Sequence, residues 1–383
     1  MLKQKMKRDI RNNLSQFITI FLMVAIGVMA YSGIKAYMDG MSETADVFYR
    51  ENNLQDMNVY GITFSNSDLE KVKSIKNVKN AERKSSITAT SDNDNTLLLN
   101  VIETNEISKF YVVDGEGFSN KDGVWLDNFY AKENNIKVGD VIKINDGTKE
   151  VLGLINVPDH LYDTKDESEL FPNRKSFGFA YVNKIENVSY NYIMVDLDDT
   201  SKYDETKKDI ENSLSNVLAV IDIKDTASYK TYQGEIDEGK TYVGVFSGLF
   251  LLIALLSTLT TMTRVVQNQR TQIGTLKALG FSNKQILLHY ISYGFYISLA
   301  GAIAGLLLGY FFLGKVFIGL EMSFFEVPNG KPLMNNVSYI VAGLSVLAII
   351  VVTMISVKNI LKETPASCLQ KKAPTQKSKN IKI

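Results

Sequence analysis

Four stretches of this chain carry no charged side chain, and each is about as long as a lipid bilayer is thick. They are residues 17–34, 241–263, 285–314 (one histidine apart) and 332–357. An α-helix rises about 1.5 Å per residue, so about 20 apolar residues cover the ~30 Å hydrocarbon core. A core helix of that length in a water-soluble protein keeps a polar face, and these four do not. They are read as four transmembrane α-helices. The bulk composition hides them: 45% hydrophobic, 22% charged and no net charge would also suit a soluble protein.

The first block follows a basic start, as a secretory signal peptide does, and Val28 and Ala30 are small residues of the cleavage-site kind. Its 18 uncharged residues exceed a usual signal core, and a helical pattern continues to about Tyr49. It is read as an uncleaved anchor.

Orientation comes from the basic residues beside each block. The first 16 residues hold five (Lys3, Lys5, Lys7, Arg8, Arg11) against one acid, Asp9. Arg264 to Lys284 holds four and no acid, and the stretch from Lys358 holds seven Lys and one Glu. Residues 36–241 hold 23 basic and 38 acidic residues. Positive charge at span ends stays inside. The expected plan is a cytoplasmic N-terminus (1–16), a first span (17–38), an extracytoplasmic domain (39–240) and a second span (241–263). A cytoplasmic loop (264–284), a third span (285–314), an outer loop (315–331), a fourth span (332–357) and a cytoplasmic tail or linker (358–383) follow. Both termini then lie on the cytoplasmic side of the cell (plasma) membrane.

The outer segment reads as mixed α+β. Ser67 before DLEKVKSI, with Glu70 three residues on, resembles a capping box. NFYAKENN (128–135) and DETKKDIENSLSNV (204–217) read as helices. TLLLNVIE (96–103), KVGDVIKIN, EVLGLINV, FGFAYVN (177–183), YNYIMVDL (190–197) and AVIDI read as strands, the YNYIMVDL run alternating with period two. The single cysteine, Cys368, permits no disulfide within the chain, so a core of apolar side chains must hold the outer domain.

Between the second and third blocks, RVVQNQRTQIGTLKALGFSNKQILLHYI places Ile273, Leu276 and Leu279 at helical spacing. Gly280 stands where a helix end turns left-handed, and Ser282 where the next helix needs a cap. Such a short amphipathic helix either lies in the headgroup layer or docks into a cytoplasmic partner. In the third block Gly301, Gly305 and Gly309 recur every four residues, a flat ridge for close helix contact. Its contact is either within the bundle or with a second protein of the same kind.

The order of one span, a large outer domain and three spans resembles the FtsX-like permease family, the MacB type of ABC transporter subunit. QRTQIGTLKALGFSNKQI is similar to the family's loop signature, of the form R-x-E-I-G-x-L-K-A-x-G-x-S, through Ile273, Gly274, Leu276, Lys277, Ala278, Gly280 and Ser282. Gln272 replaces the usual Glu. VKNILKETPASCLQ resembles the family's closing motif at Pro365 and Ala366, and FYAKENNIKVGDVIKI resembles a piece of the MacB-type periplasmic domain. The resemblance implies that a separate cytoplasmic ABC ATPase is coupled to the spans through Thr271, Gln272, Ile273, Gly274, Leu276, Lys277, Ala278, Leu279 and Gly280. Ile273, Leu276 and Leu279 would be the docking knobs and Lys277 a rim contact. A second permease, as homodimer or tandem half, and membrane lipids complete the implied partners; nucleic acid is not among them. Residues 371–383 look like a tandem linker or a free basic tail.

Chemistry of the chain's own is not expected. No phosphate-binding loop of the form G-x-x-x-x-G-K-[ST] occurs, so ATP would be bound by the partner and no cofactor by this chain. His160 and His289, the two histidines, fall on opposite sides of the plan, which excludes a metal pair between them. Asp163, Asp166, Glu167 and Glu169, like Asp198, Asp199 and Asp204, more often form solvated loops than cation sites. Ser257, Thr258 and Thr260 could line a pathway or bond their own helix. The expected function is a non-enzymatic permease subunit exporting an amphiphilic molecule: an antimicrobial peptide, lipid, lipoprotein or drug. The alternative is a scaffold that transmits motion to an extracellular partner such as a cell-wall hydrolase.

Overall fold

The computed structural model describes residues 6, 8–11, 14–166, 169, 171–185 and 188–369. Lys3, Lys5, Lys7, Glu167 and the 371–383 stretch read as a linker or tail lie outside them. In chain order the elements are α1 (Leu14–Glu51), β1 (Met57–Gly61), α2 (Asn66–Lys73), β2 (Val78–Thr90), β3 (Thr96–Ile102), β4 (Tyr111–Gly115), β5 (Val124–Asp127) and α3 (Asn128–Glu133). Then come β6 (Val141–Ile144), β7 (Gly147–Asn156), β8 (Phe177–Val182), β9 (Tyr192–Leu197), α4 (Tyr203–Ser213), β10 (Val217–Asp222) and α5 (Ala227–Asn268). The last are α6 (Arg270–Ala278), α7 (Asn283–Leu308), a π-helical turn (Gly309–Gly314), α8 (Lys315–Glu321), α9 (Asn336–Leu361) and α10 (Pro365–Leu369).

The chain divides into two compact units. One holds Met1–Asp39, Gly239–Phe317 and Pro332–Ile383; the other holds Gly40–Glu238 and Ile318–Lys331. Among the described residues four helical runs are long and apolar enough to cross a membrane: α1, α5, the continuous run Asn283–Glu321, and α9. α1 and α5 are 38 and 42 residues long, roughly twice the ~20 a bilayer requires. Within the first unit Val24, Val28, Ala302, Ala342, Val346 and Ile349 pack together. Hydroxyls in these helices bond back four residues, as Thr258 does to Ala254 O (2.7 Å) and Thr260 to Leu256 O (3.0 Å).

The second unit is built on a ten-stranded sheet in the order β10-β1-β9-β2-β3-β8-β5-β7-β4, with β6 paired to β7. The β3–β8 and β5–β7 pairs are parallel and the other pairs antiparallel. On one part of the sheet, Leu69 and Val72 of α2 and Ile210 of α4 cover Met57, Val59, Ile193 and Val195. On another, Tyr130 and Ala131 of α3 cover Leu97, Leu99, Leu126 and Ala180.

Two local readings are corrected. α2 is capped by Ser65, not Ser67: Ser65 Oγ accepts the Asp68 amide at 3.2 Å, and Asp68 accepts the Ser65 amide at 3.0 Å. Both frames leave Leu69 and Val72 on the buried face, so apolar spacing does not choose between them; the earlier serine captures two more residues. α4 ends at Ser213 rather than at 217 because Leu214 turns extended to feed β10. β9 lies within YNYIMVDL, as read, and all six of its residues are buried in mid-sheet. β1, β2, β4 and β5 were not anticipated.

A buried polar network crosses this unit. Lys84 of β2 meets Asp159 at 2.9 Å, both nearly inaccessible. His160 Nδ1 contacts Asp163 at 2.6 Å, and its Nε2 lies 3.1 Å from the Tyr181 hydroxyl. Two of the other acids weighed as cation candidates are engaged locally. Glu169 accepts the Lys165 amide at 3.1 Å, and Asp199 accepts the Ser201 amide at 3.0 Å. Among the described residues no group of three His, Cys, Asp or Glu is placed to hold a metal.

Candidate functional site

The string between the second and third membrane helices folds as two helix ends joined by a tight turn. Phe281 donates to Leu276 O (3.1 Å) and Gly280 to Lys277 O (3.0 Å). These are the paired bonds of a Schellman ending, which requires the left-handed residue that Gly280 supplies at φ +89°. Ser282 then opens α7 with a capping box: its Oγ accepts the Gln285 amide at 3.3 Å, and Gln285 Oε1 accepts the Ser282 amide at 2.9 Å. Each junction is written in the local sequence.

α6 divides into two faces. Ile273 and Leu276 point inward, into a cluster with Met262, Val266, Ile286, Tyr290 and Ile360. They are not outward docking knobs: burying both against the chain's own helices is what holds α6 in place, and Leu279 alone of the three is exposed (64%). Lys277 is half-buried and turned toward its own chain. Its ammonium donates to Leu361 O (2.8 Å) and Glu363 O (2.7 Å), satisfying carbonyls that the end of α9 leaves without helical partners.

About two turns before Lys277 completes that clamp, Arg270 begins it. Its Nε donates to Glu363 Oε2 at 2.7 Å, a second guanidinium nitrogen contacts the same oxygen, and that nitrogen also reaches Ser367 O at 2.7 Å. The loop helix and the segment after the last span therefore form one braced piece, with α10 packed on α6. Gln272, in the acid's usual place, is exposed; the carboxylate that pairs with the loop comes from Glu363. Arg270 and Glu363 were not singled out from sequence. Glu363 stood out as the sole acid after residue 358, which was the available signal.

The outward face of α6 and its end is Thr271, Gln272, Thr275, Ala278, Leu279 and Gly280, while Gly274 is buried. These exposed groups are small or neutral and sit on a helix fixed at both ends. Such a surface can receive a partner and pass its movement on to α5, α7 and α9, but holds no group suited to bond-making chemistry.

Gly301, Gly305 and Gly309 lie against α1 of the same chain. A Cβ on Gly301 would stand 2.8 Å from Phe21 O, and one on Gly305 2.7 Å from Ala25 O and 2.8 Å from Val28 Cβ. A Cβ on Gly309 would overlap Ser32 Oγ. The glycine ridge is consumed by packing inside the bundle and is not free for a second permease.

Four membrane-length helical runs, an α/β domain inserted after the first, and a braced helix between the second and third define a multi-pass membrane protein. A model of the FtsX-like permease C-terminal region matches residues 244–365, and one of the MacB-like periplasmic core domain matches residues 17–213, more than half of the chain. The chain thus belongs to the FtsX-like permeases that carry a MacB-like periplasmic core domain. It is similar to an uncharacterised ABC transporter permease of Methanocaldococcus jannaschii, 25% identical over 215 residues, which are 50% of this chain and 51% of that protein; the match spans about half the length of that relative. Two solved structures are similar at low scores. The extracellular domain of the ABC-type transporter YknZ from Gram-positive bacteria is 15% identical with a TM-score of 0.34, over 44% of this chain and 98% of that one. The periplasmic region of MacB from Actinobacillus actinomycetemcomitans is 13% identical with a TM-score of 0.33, over 49% and 95%.

Proposed function

We propose that this chain is the transmembrane subunit of an ABC transporter of the FtsX/MacB type, coupling ATP hydrolysis by a separate cytoplasmic ATPase to movement of the outer domain. The observation that carries this reading is the α6 surface of Thr271, Gln272, Thr275, Ala278 and Leu279, presented on a helix that Arg270 and Lys277 tie to the end of α9. Family membership and the relative's description as an ABC transporter permease support it. Both termini and the 264–284 loop face the cytoplasm in this reading, from the excess of Lys and Arg there. ATP is held by the partner, and export of an amphiphilic molecule is the proposed task.

A photo-crosslinker at Leu279 in intact cells tests it. The expected product is a covalent adduct with an ABC ATPase, lost when Ala278→Arg is added, while the melting temperature of the permease stays unchanged. Adducts with no nucleotide-binding protein, or capture indifferent to Ala278→Arg, overturn the reading.

A second reading has one observation in its favour. Thr258, Thr260, Ser345, Thr353 and Ser356 bond back to their own helix carbonyls, which leaves these hydroxyls little to offer a polar solute. The chain would then transmit motion to an extracellular partner such as a cell-wall hydrolase. Hypersusceptibility to peptides or drugs on deletion supports export; a chaining or division defect supports the scaffold.

A further inference from the structure

Residues Ile318–Lys331 follow the third membrane run and precede the fourth, yet they belong to the same compact unit as Gly40–Glu238. Their anchor is Glu326, which is wholly buried. Its amide donates to Leu161 O at 2.9 Å. Beside it, the Phe325 ring packs on Tyr162 and Tyr232. Arg174 forms an ion pair with the Glu326 carboxylate and donates to Phe324 O at 3.2 Å. Asn329 donates to the Tyr111 hydroxyl at 2.7 Å.

The charges around Glu326 do not balance. Asp127, at the end of β5, faces it from the sheet, and Asp163 faces it from the loop that also carries Arg174. Asp163 in turn holds His160, which neighbours the Lys84–Asp159 pair. Counting His160 as protonated, the cations are Lys84, His160 and Arg174; the carboxyls are Asp127, Asp159, Asp163 and Glu326. Four acids against three cations leave one negative charge in excess, in a site with almost no access to water. Burying an unpaired carboxylate is costly enough that the group takes up a proton instead.

Orphaned acceptors locate that proton. Asp127 Oδ1 caps α3 by accepting the Phe129 amide at 2.7 Å, and Glu326 Oε1 faces the Arg174 guanidinium, which leaves Asp127 Oδ2 and Glu326 Oε2 buried with no other donor than a proton the two carboxyls share. Gly178 presses on Asp127 from behind: a Cβ there would sit 3.0 Å from Oδ2. We infer that Asp127 and Glu326 hold one proton between them beside Arg174, and that this proton clasps the 318–331 segment to the outer domain in a pH-dependent way. Tyr162 and Tyr232, which pack on the segment, are raised by burial and stay neutral across the physiological range, and Glu321 and Lys331 are the segment's other charged groups.

The electrostatics agree with the geometry. Burial lifts Asp127 to about 6, although Arg174 opposes the rise. Burial, and then Asp127 itself, lift Glu326 well above the usual carboxylate range. With its acid raised in the seated state, the clasp is firmest at low pH and weakens as pH rises through that raised value. Between the ordinary carboxylate value near ~4.3 and the raised one, unseating releases one proton, so its equilibrium constant grows about tenfold per pH unit. The segment connects by chain to α8 and α9, so the clasp governs one covalent route between the spans and the outer domain.

Hydrogen exchange of the full-length protein in lipid nanodiscs tests this, with rates in 318–331 corrected for intrinsic pH dependence and compared between pH 5.5 and 9. The wild type should lose at least tenfold in protection of that segment as pH rises, while β3 stays protected. Glu326→Gln, neutral at every pH, should abolish the slope. Infrared spectroscopy at pH 7 supplies a second readout independent of variant folding: the wild type should show a protonated-carboxyl band. A pH-independent wild-type profile, a Glu326→Gln profile with the wild-type slope, or no such band overturns the inference.

Discussion

Arg270 and Glu363 are 93 positions apart and share a charged hydrogen bond of 2.7 Å, the guanidinium also reaching Ser367 O. This contact joins the loop between the second and third membrane helices to the residues just beyond the fourth. A rigid connection here matters because a docked partner can displace several helices only if the receiving helix does not yield alone.

Charge-assisted bonds of this kind contribute on the order of 1.5–3 kcal/mol. Arg270→Ala and Glu363→Gln should each lower the melting temperature of the detergent-purified protein, and the double variant should lose less than the sum. Arg270→Lys should not restore it, because a single ammonium lacks the fork that serves Glu363 and the Ser367 carbonyl together. Additive losses in the double-mutant cycle would show the pair to be uncoupled.

The two faces of α6 should separate by mutation. Ile273 is fully buried, so Ile273→Ala should cost about 2–5 kcal/mol. Leu279→Ala, on the exposed side, should change stability by less than ~0.5 kcal/mol while weakening ATPase capture. Thermal unfolding and crosslinking yield on the same two variants check this.

How much of this was legible beforehand differs by element. The membrane helices could be read because a span must exclude charge along its whole length, and the Gly280–Ser282 turn because its bonds are formed by neighbours in sequence. The faces of α6 were half legible: spacing grouped Ile273 with Leu276, but whether an apolar stripe meets a partner or the chain itself depends on helices far away in sequence. β2 ran unread through VKNAERKSSITAT because Glu82, Arg83 and Lys84 are polar yet buried. Their partners, Glu103 and Asp159 among them, arrive only with the fold. The Asp127–Arg174–Glu326 cluster draws on three distant segments and leaves no local pattern at all.

Glycines of the membrane helices should tolerate bulk very unevenly. Gly305 has backbone of α1 within 2.7 Å of where a side chain would begin, whereas Gly343 of α9 has nothing within 4 Å. Gly305→Leu should cost upwards of the ~1–3 kcal/mol typical of overpacking and reduce the yield of monodisperse protein. Gly343→Leu should behave as wild type. Size-exclusion profiles of the two, expressed side by side, check the contrast.

The Lys84–Asp159 pair should show itself through acid. Burial by itself would raise the Asp159 carboxyl, but Lys84 and His160 outweigh it and hold it at about 2. An acid depressed in the folded state contributes stability that is complete above its ordinary value near ~3.9 and disappears as pH falls toward the depressed one. Asp159→Asn should therefore destabilise the protein at pH 7, on the order of the 3–5 kcal/mol that follows breaking a buried pair. At pH about 2 the wild-type carboxyl is itself about half protonated, so the deficit should shrink. Lys84→Met removes the other partner and should likewise flatten the acid limb between pH 4 and 2. Unfolding temperatures across that range decide the matter: a deficit in Asp159→Asn that is constant with pH would mean that Lys84 does not hold this carboxylate in the folded protein.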